Sequence, residues 1–250
     1  MHYPVEINFF KQSLPLHFIM ETAGFFFGFR YFLYLRKRQG DTIISINRTW
    51  ILVGAIFGAL IGSRLIGSLE RPYELFRTKN IWLYIYSNKT VLGGFLGGLF
   101  GVEVIKKILK EKHSSGDLFT YPMILALIIG RIGCFSMGVY EETYGTPTTF
   151  FTGMDLGDGL LRHPVTLYEI LFLLLLWITL VQVDKRYTLA EGARFKLFMI
   201  GYILFRFFCD FIKPSYIIVF GLSTIQLTAL LGLLYYAVIS FRYKNLYLSR

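Results

Sequence analysis

The chain has 250 residues, of which 54% are hydrophobic, 18% aromatic and 17% charged, and its mean hydropathy is +0.53. So few charges, set between long apolar blocks, exclude an ordinary soluble domain, whose helices are shorter and amphipathic. The formal net charge of +10 would suit a nucleic-acid partner, but the basic residues fall between apolar blocks in a pattern that reads as membrane orientation.

A helix needs roughly 20 mostly apolar residues to cross hydrocarbon. Seven segments meet that requirement, at about 14–35, 48–69, 81–105, 119–138, 164–183, 194–212 and 217–241. The first is long and lacks a basic region with a small-residue exit site, so it reads as a span and not as a cleavable signal peptide. The second carries Gly54, Gly58 and Gly62, and the third Gly93, Gly97 and Gly101 with Gly94 and Gly98. A spacing of four puts small residues on one face and lets two helices approach closely. Gly93-Gly94, beside Lys89, admit a second reading as backbone N–H groups near an anion. Ser87-Asn88-Lys89 interrupts the third block, so it is predicted to enter as a broken segment, which survives at depth only where buried in protein or lining a wet cavity.

After the fourth block comes a polar external loop, 139–163, with Glu141, Glu142, Asp155 and Asp158. His163 and Pro164 open the fifth block, and proline suits the first turn of a helix. No block alternates with period two, which excludes a β-barrel. The predicted fold is therefore all-α: a polytopic membrane protein of about seven helices, with residues 1–250 forming one integral-membrane domain.

With the N-terminus outside and the C-terminus cytoplasmic, the inner segments hold Arg36-Lys37-Arg38, Arg48, Lys106, Lys107, Lys110, Lys112, Lys185-Arg186, Arg194, Lys196, Arg242, Lys244 and Arg250. The outer segments hold fewer basic residues, as the positive-inside rule requires. The same charge favours anionic membrane lipid over nucleic acid. Cys134 and Cys209 lie inside apolar blocks and form no disulfide framework. The histidines are scattered with no HxxxH pair, so neither a metal nor a cofactor is expected.

Ionisable groups within a bilayer are costly unless paired or hydrated, which makes each a functional candidate. In this topology Glu21, Arg64, Arg131, Glu169, Arg206 and Asp210 all fall toward the outer side, while Arg30 and Glu103 fall toward the inner side. Groups from separate helices at one level point to a single site. Three arginines suit a phosphate, because a guanidinium donates in a planar fork and stays charged. Arg206 and Asp210 are four apart on one helix and could instead form a structural pair. Ile132-Gly133 after Arg131 leaves bare backbone that could admit a ligand. His163, at the mouth of the fifth span, reads either as a group exchanging protons near neutral pH or as a loop anchor. Glu169 reads as a partner for loop backbone or for a neighbouring arginine.

At these residues the chain resembles the prolipoprotein diacylglyceryl transferases. Gly62-Ser63-Arg64-Leu65-Ile66-Gly67 is similar to a glycine-arginine element in that family's second span. Gly130-Arg131-Ile132-Gly133-Cys134-Phe135 is similar to its signature GRxGNF, and Arg162-His163-Pro164-Val165-Thr166-Leu167-Tyr168-Glu169 to its RHPxQLYE. Arg206-Phe207-Phe208-Cys209-Asp210-Phe211-Ile212-Lys213 is similar to its RFxxEFxR, followed by a likeness around Gln226. The resemblance implies transfer of a diacylglyceryl group from phosphatidylglycerol to the lipobox cysteine in the signal region of a lipoprotein precursor, with release of glycerol phosphate, in the bacterial cytoplasmic (inner) membrane. Arg131 and Arg206 would then hold the phosphate with support from Arg64. Gly93, Gly94, Gly145, Tyr168, Glu169 and Asp210 would line the substrate site, Gly145 matching if about three residues are inserted after the signature.

Where the family carries a histidine before the double glycine and an asparagine in its signature, this chain has Leu92 and Cys134. Leucine cannot titrate, so proton removal from the acceptor thiol is expected from His163, with Glu142 the runner-up, or from no base at all if the arginines stabilise the thiolate directly. The alternative is a non-catalytic lipid-binding or lipid-handling protein on the same scaffold. A transporter would need inverted repeats.

Overall fold

The computed structural model describes residues 3–9, 12–242 and 247–248; Lys244 and Arg250, assigned above to the inner tail, lie outside them. In chain order the elements are a hairpin, β1 (Glu6–Phe9) and β2 (Gln12–Pro15), then α1 (Leu16–Gln39), α2 (Ser45–Ser68), α3 (Pro72–Arg77), α4 (Ile81–Ser87), α5 (Val91–Leu109) and α6 (Asp117–Met137). A 3-10 turn at Gly138–Tyr140 leads to a second hairpin, β3 (Met154–Asp155) and β4 (Leu161–Arg162). Then come α7 (Val165–Arg186), β5 (Thr188–Leu189), α8 (Ala193–Cys209), a 3-10 turn at Asp210–Ile212, β6 (Ile217–Val219), β7 (Leu222–Ser223), α9 (Thr224–Arg242) and β8 (Tyr247–Leu248), which pairs with β5.

The fold is thus helical, with short antiparallel strand pairs, three of them hairpins, at the helix ends. Among the described residues α2, α7 and α6 with its 3-10 extension are long and apolar enough to cross a membrane. Their neighbours turn large apolar side chains outward: Phe25 is 74% exposed, Leu231 67% and Phe208 64%. A surface so apolar is solvated by lipid tails, not water.

The broken third block appears as α4 and α5, separated at Asn88–Thr90. Asn80 caps α4 by accepting the Leu83 N–H at 3.1 Å. The last block needs correcting: residues 217–223, predicted as the start of a span, form the β6–β7 hairpin, because Phe220 and Gly221 both take positive φ, 54° and 75°, and reverse the chain. The helix begins only at Thr224.

Helix α2 packs on α5 through its glycines. A Cβ on Gly93 would sit 2.5 Å from the Gly62 carbonyl oxygen and 2.7 Å from Ile66 Cβ, so that position tolerates no side chain. At Gly94 the nearest side-chain atom would be 3.6 Å away, an ordinary contact. Leu92 is fully buried in the apolar core with Phe198, Met199, Tyr202, Ile203 and Ile225.

Arg48 is not free to face lipid headgroups, as its place among the inner basic residues implied, because it is buried and paired. Its Nε donates to Asp41 Oδ2 at 2.9 Å, its Nη2 makes a short contact with Asp41 Oδ1, and its Nη1 donates to the Ser115 carbonyl at 2.9 Å. Arg36 Nε also donates to Asp41 at 2.9 Å. Burial alone would raise the Asp41 carboxyl, but the hydrogen bonds and charge of Arg48, with Arg36, outweigh it and hold it below the usual carboxylate range. A depressed carboxyl contributes stability above its unfolded pKa, about 3.9, that is lost as pH falls through the folded value. In detergent, the thermal midpoint of the wild type is therefore expected to hold from pH 7 to 5 and to fall below pH 4. Asp41→Asn should lower the pH 7 midpoint and remove that acid limb; an unchanged midpoint would show that the pair contributes nothing.

Candidate functional site

Three helices bring charged side chains to one end of the bundle. Arg131 lies six residues before the end of α6, Glu169 four residues after the start of α7, and Arg206 three residues before the end of α8. At 1.5 Å per residue, each is within about 10 Å of that end. Because α7 runs antiparallel to α6 and α8, one level collects a group from the end of two helices and the start of the third.

Glu169, 1% exposed, is the common partner. Its Oε1 lies 2.9 Å from Arg131 Nε and accepts the Tyr202 hydroxyl at 2.7 Å, while its Oε2 accepts Arg206 Nη1 at 3.3 Å. Arg131 Nη1 also reaches Cys134 Sγ at 3.5 Å. Two buried guanidinium groups thus share one carboxylate, leaving an excess positive charge, and Arg206 Nε is buried without a hydrogen-bond partner. A buried, uncompensated cation and an open donor are the electrostatic template for an anion. Nearby Lys213, partly buried, is pushed below the ordinary lysine range by desolvation and then by the charge of Arg206.

Arg206 and Asp210 do not form the pair that their spacing allowed. The helix tightens into a 3-10 turn at Asp210, whose Oδ2 accepts a short hydrogen bond from the Ser223 hydroxyl. Ser223 and Gln226 cap α9 reciprocally: the Ser223 N–H donates to Gln226 Oε1 at 2.9 Å and the Gln226 N–H to Ser223 Oγ at 3.1 Å, the two-way arrangement of a capping box. Asp210 Oδ1 remains buried without a partner.

The loop over this end is held by His163. Gly145 N donates to the His163 carbonyl at 3.0 Å, and a Cβ on Gly145 would lie 2.6 Å from His163 Cβ. His163 Nδ1 is 3.2 Å from the Tyr168 hydroxyl, which also shares a short hydrogen bond with Thr152. Glu142 is not among the partners of Glu169: it is 61% exposed and pairs with Arg71 Nη2 at 2.6 Å, in a cleft lined also by Glu70, Lys213, Ser223 and Thr224. Partial burial raises the Glu70 carboxyl above the usual range against the opposing charge of Lys213. The Arg64 guanidinium stacks 4.8 Å over the Tyr86 ring and is not among the contacts of Glu169.

Sequence reasoning missed Tyr202, though it stands four residues before Arg206 and so shares its helix face.

A family model described as prolipoprotein diacylglyceryl transferase matches residues 4–242. The chain is 30% identical to a phosphatidylglycerol–prolipoprotein diacylglyceryl transferase of Cupriavidus metallidurans, over 84% of this chain and 80% of that one. It is 31% identical to the protein of the same name from Wolbachia pipientis of Culex pipiens, over 97% of each, and 26% identical to that of Finegoldia magna, over 96% of each.

Proposed function

The chain belongs to the prolipoprotein diacylglyceryl transferase family, and from that premise we propose that it is an enzyme transferring diacylglyceryl from phosphatidylglycerol to the lipobox cysteine of a lipoprotein precursor. The observation that carries the chemistry is the buried pair of arginines sharing one carboxylate. The lipid phosphate sits against Arg131 and Arg206, with Arg64 supporting from α2. Gly93, Gly94, Gly145, Tyr168, Glu169 and Asp210 line the substrate site, and Asp210 Oδ1, which lacks a partner, accepts a headgroup hydroxyl.

In the reaction the acceptor thiolate attacks the carbon of the diacylglyceryl group that carries the phosphate ester. A C–S bond forms, the C–O bond breaks, and glycerol phosphate leaves with the electron pair. Negative charge moves onto the phosphate oxygen, where fixed guanidinium donors stabilise it more than in the ground state. A free thiol, with a pKa of about 8.5, must first lose its proton. His163, on the side from which an exported thiol arrives, is the first candidate to take it, and Glu142, held by Arg71, the second. About seven spans, an outer N-terminus and the bacterial cytoplasmic membrane complete the reading, and no nucleic acid takes part.

Purified protein incubated with phosphatidylglycerol and a lipobox peptide is expected to add diacylglyceryl to the peptide, seen by mass spectrometry, and to release glycerol phosphate. Lipid binding with neither product would instead favour the non-catalytic, lipid-handling reading. On the same peptide, an unchanged rate and acidic limb in both His163→Gln and Glu142→Gln would remove both bases.

A further inference from the structure

Beside the Glu169 cluster, three side chains distant in sequence converge. His17 stands at the start of α1, Cys134 near the end of α6 and Glu141 just beyond the 3-10 turn, and their nitrogen, sulfur and carboxylate oxygen ligand atoms all lie within 4.8 Å of one another. Gly133 makes this approach possible, since a Cβ there would sit 2.9 Å from Met20 Cβ and 3.1 Å from the His17 carbonyl oxygen. A larger residue would push α1, and His17 with it, off α6.

His17 Nδ1 and Glu141 Oε2 are 3.2 Å apart. They are not aligned for a hydrogen bond, and both atoms are buried without a hydrogen-bond partner. Two buried polar atoms facing each other unbonded are costly. Their separation is close to the edge two ligands span on one tetrahedral cation: zinc–nitrogen and zinc–oxygen bonds of about 2.0–2.2 Å give roughly 3.4 Å. A simple His–Glu ion pair would account for the nitrogen and the oxygen, but not for a thiol at the third corner.

We propose that His17, Cys134 and Glu141 bind a divalent cation of the zinc class, with the fourth position open to the acceptor thiol; this second half rests on the transferase reading. Histidine nitrogen, thiolate and carboxylate are the donors zinc takes, and three protein ligands with one open position mark a catalytic site, not a structural one. Glu141 and the Cys134 thiolate neutralise the dication. The surroundings serve as an outer shell: Arg131 Nη1 reaches Cys134 Sγ at 3.5 Å, and His17 Nε2 lies 3.7 Å from Glu21, orienting the ring. A bound cation would lower the pKa of the incoming thiol and hold it as thiolate, its proton going to the base named above or to water. The C–S bond would then form and glycerol phosphate leave as above, with nothing oxidised or reduced. The signature position where the family carries asparagine is cysteine in this chain, a far stronger zinc ligand than an amide.

The test uses the untagged full chain in detergent, stripped of metal with a chelator and titrated with Co2+, then Zn2+. One Co2+ per chain is expected, with the intense visible bands of a tetrahedral site and a near-ultraviolet thiolate-to-cobalt band, both erased by one equivalent of Zn2+. Cys134→Ser should lose the thiolate band, and His17→Gln and Glu141→Gln should each weaken binding by ~100-fold or more. His113→Gln, at an exposed histidine paired with Glu191, should bind as wild type. Metal-free thermal midpoints show whether each variant is folded. No stoichiometric cobalt, or a thiolate band persisting in Cys134→Ser, overturns the site. N-acetylcysteine amide should shift the cobalt bands, and unshifted bands overturn the open position. Transfer at full rate by metal-free protein would refute the thiol-binding role and keep the transferase reading. Metal binding without transfer in any metal state would keep the site and refute that reading.

Discussion

Arg131→Lys is expected to lower kcat/KM for diacylglyceryl transfer by about 10²–10³-fold, the effect of removing one fixed donor from a developing oxyanion, while shifting the thermal midpoint little. Lysine keeps the charge, so Glu169 retains a cation and the fold retains its ion pair. What disappears is the planar fork. Arg131 uses Nε toward Glu169 and Nη1 toward Cys134, and a single ammonium cannot hold the carboxylate and still present separate donors to a phosphate. The check is a steady-state assay beside a melting curve in the same detergent. A wild-type rate in the variant would mean that phosphate is not gripped at Arg131.

How far the sequence could carry the reading depends on whether the information was local. Helix positions followed from apolar block length, and the break at Ser87–Lys89 was legible because three polar residues interrupt one block. The hairpin at 217–223 was not, since Ile217, Ile218 and Val219 are as apolar as a helix start; only the positive φ of Phe220 and Gly221 reverses the chain. At the site, Arg131, Glu169 and Arg206 could be grouped by depth, because charges in a membrane are scarce enough to be conspicuous. Their pairing was legible only in part: Glu169 read as a partner for a neighbouring arginine, and the structure gives it two, Arg131 and Arg206. The i, i+4 rule suggested Arg206 with Asp210, but Glu169 lies on another helix, and pairing across helices depends on packing that spacing does not encode. His17 and Glu141 were overlooked for the same reason: they meet only because Gly133 lets α1 press against α6. Glu142, the more prominent loop carboxylate by its place before Gly145, turns outward to Arg71.

Glu169→Ala is expected to cost about 3–5 kcal/mol, the range for removing one partner of a buried ion pair, because two guanidinium groups and the Tyr202 hydroxyl lose the same acceptor at once. The sharper experiment is Glu169→Gln, which keeps the shape and one acceptor oxygen but removes the negative charge. The cluster then holds two buried arginines with no carboxylate between them, so the folded state is weakened and its affinity for an anion is raised. Any ligand that binds only the folded state stabilises it by RT ln(1 + [L]/Kd), so tighter anion binding appears as a larger lipid-dependent rise in midpoint. The expected pattern is a lower midpoint for Glu169→Gln in neutral-lipid micelles, with a larger recovery than the wild type when phosphatidylglycerol is added. A variant as stable as the wild type in neutral lipid would mean that Glu169 does not carry the charge balance of the cluster. A lower midpoint with no added response to phosphatidylglycerol would place the lipid phosphate elsewhere, since two unmasked guanidinium groups in contact with it could not leave its affinity unchanged.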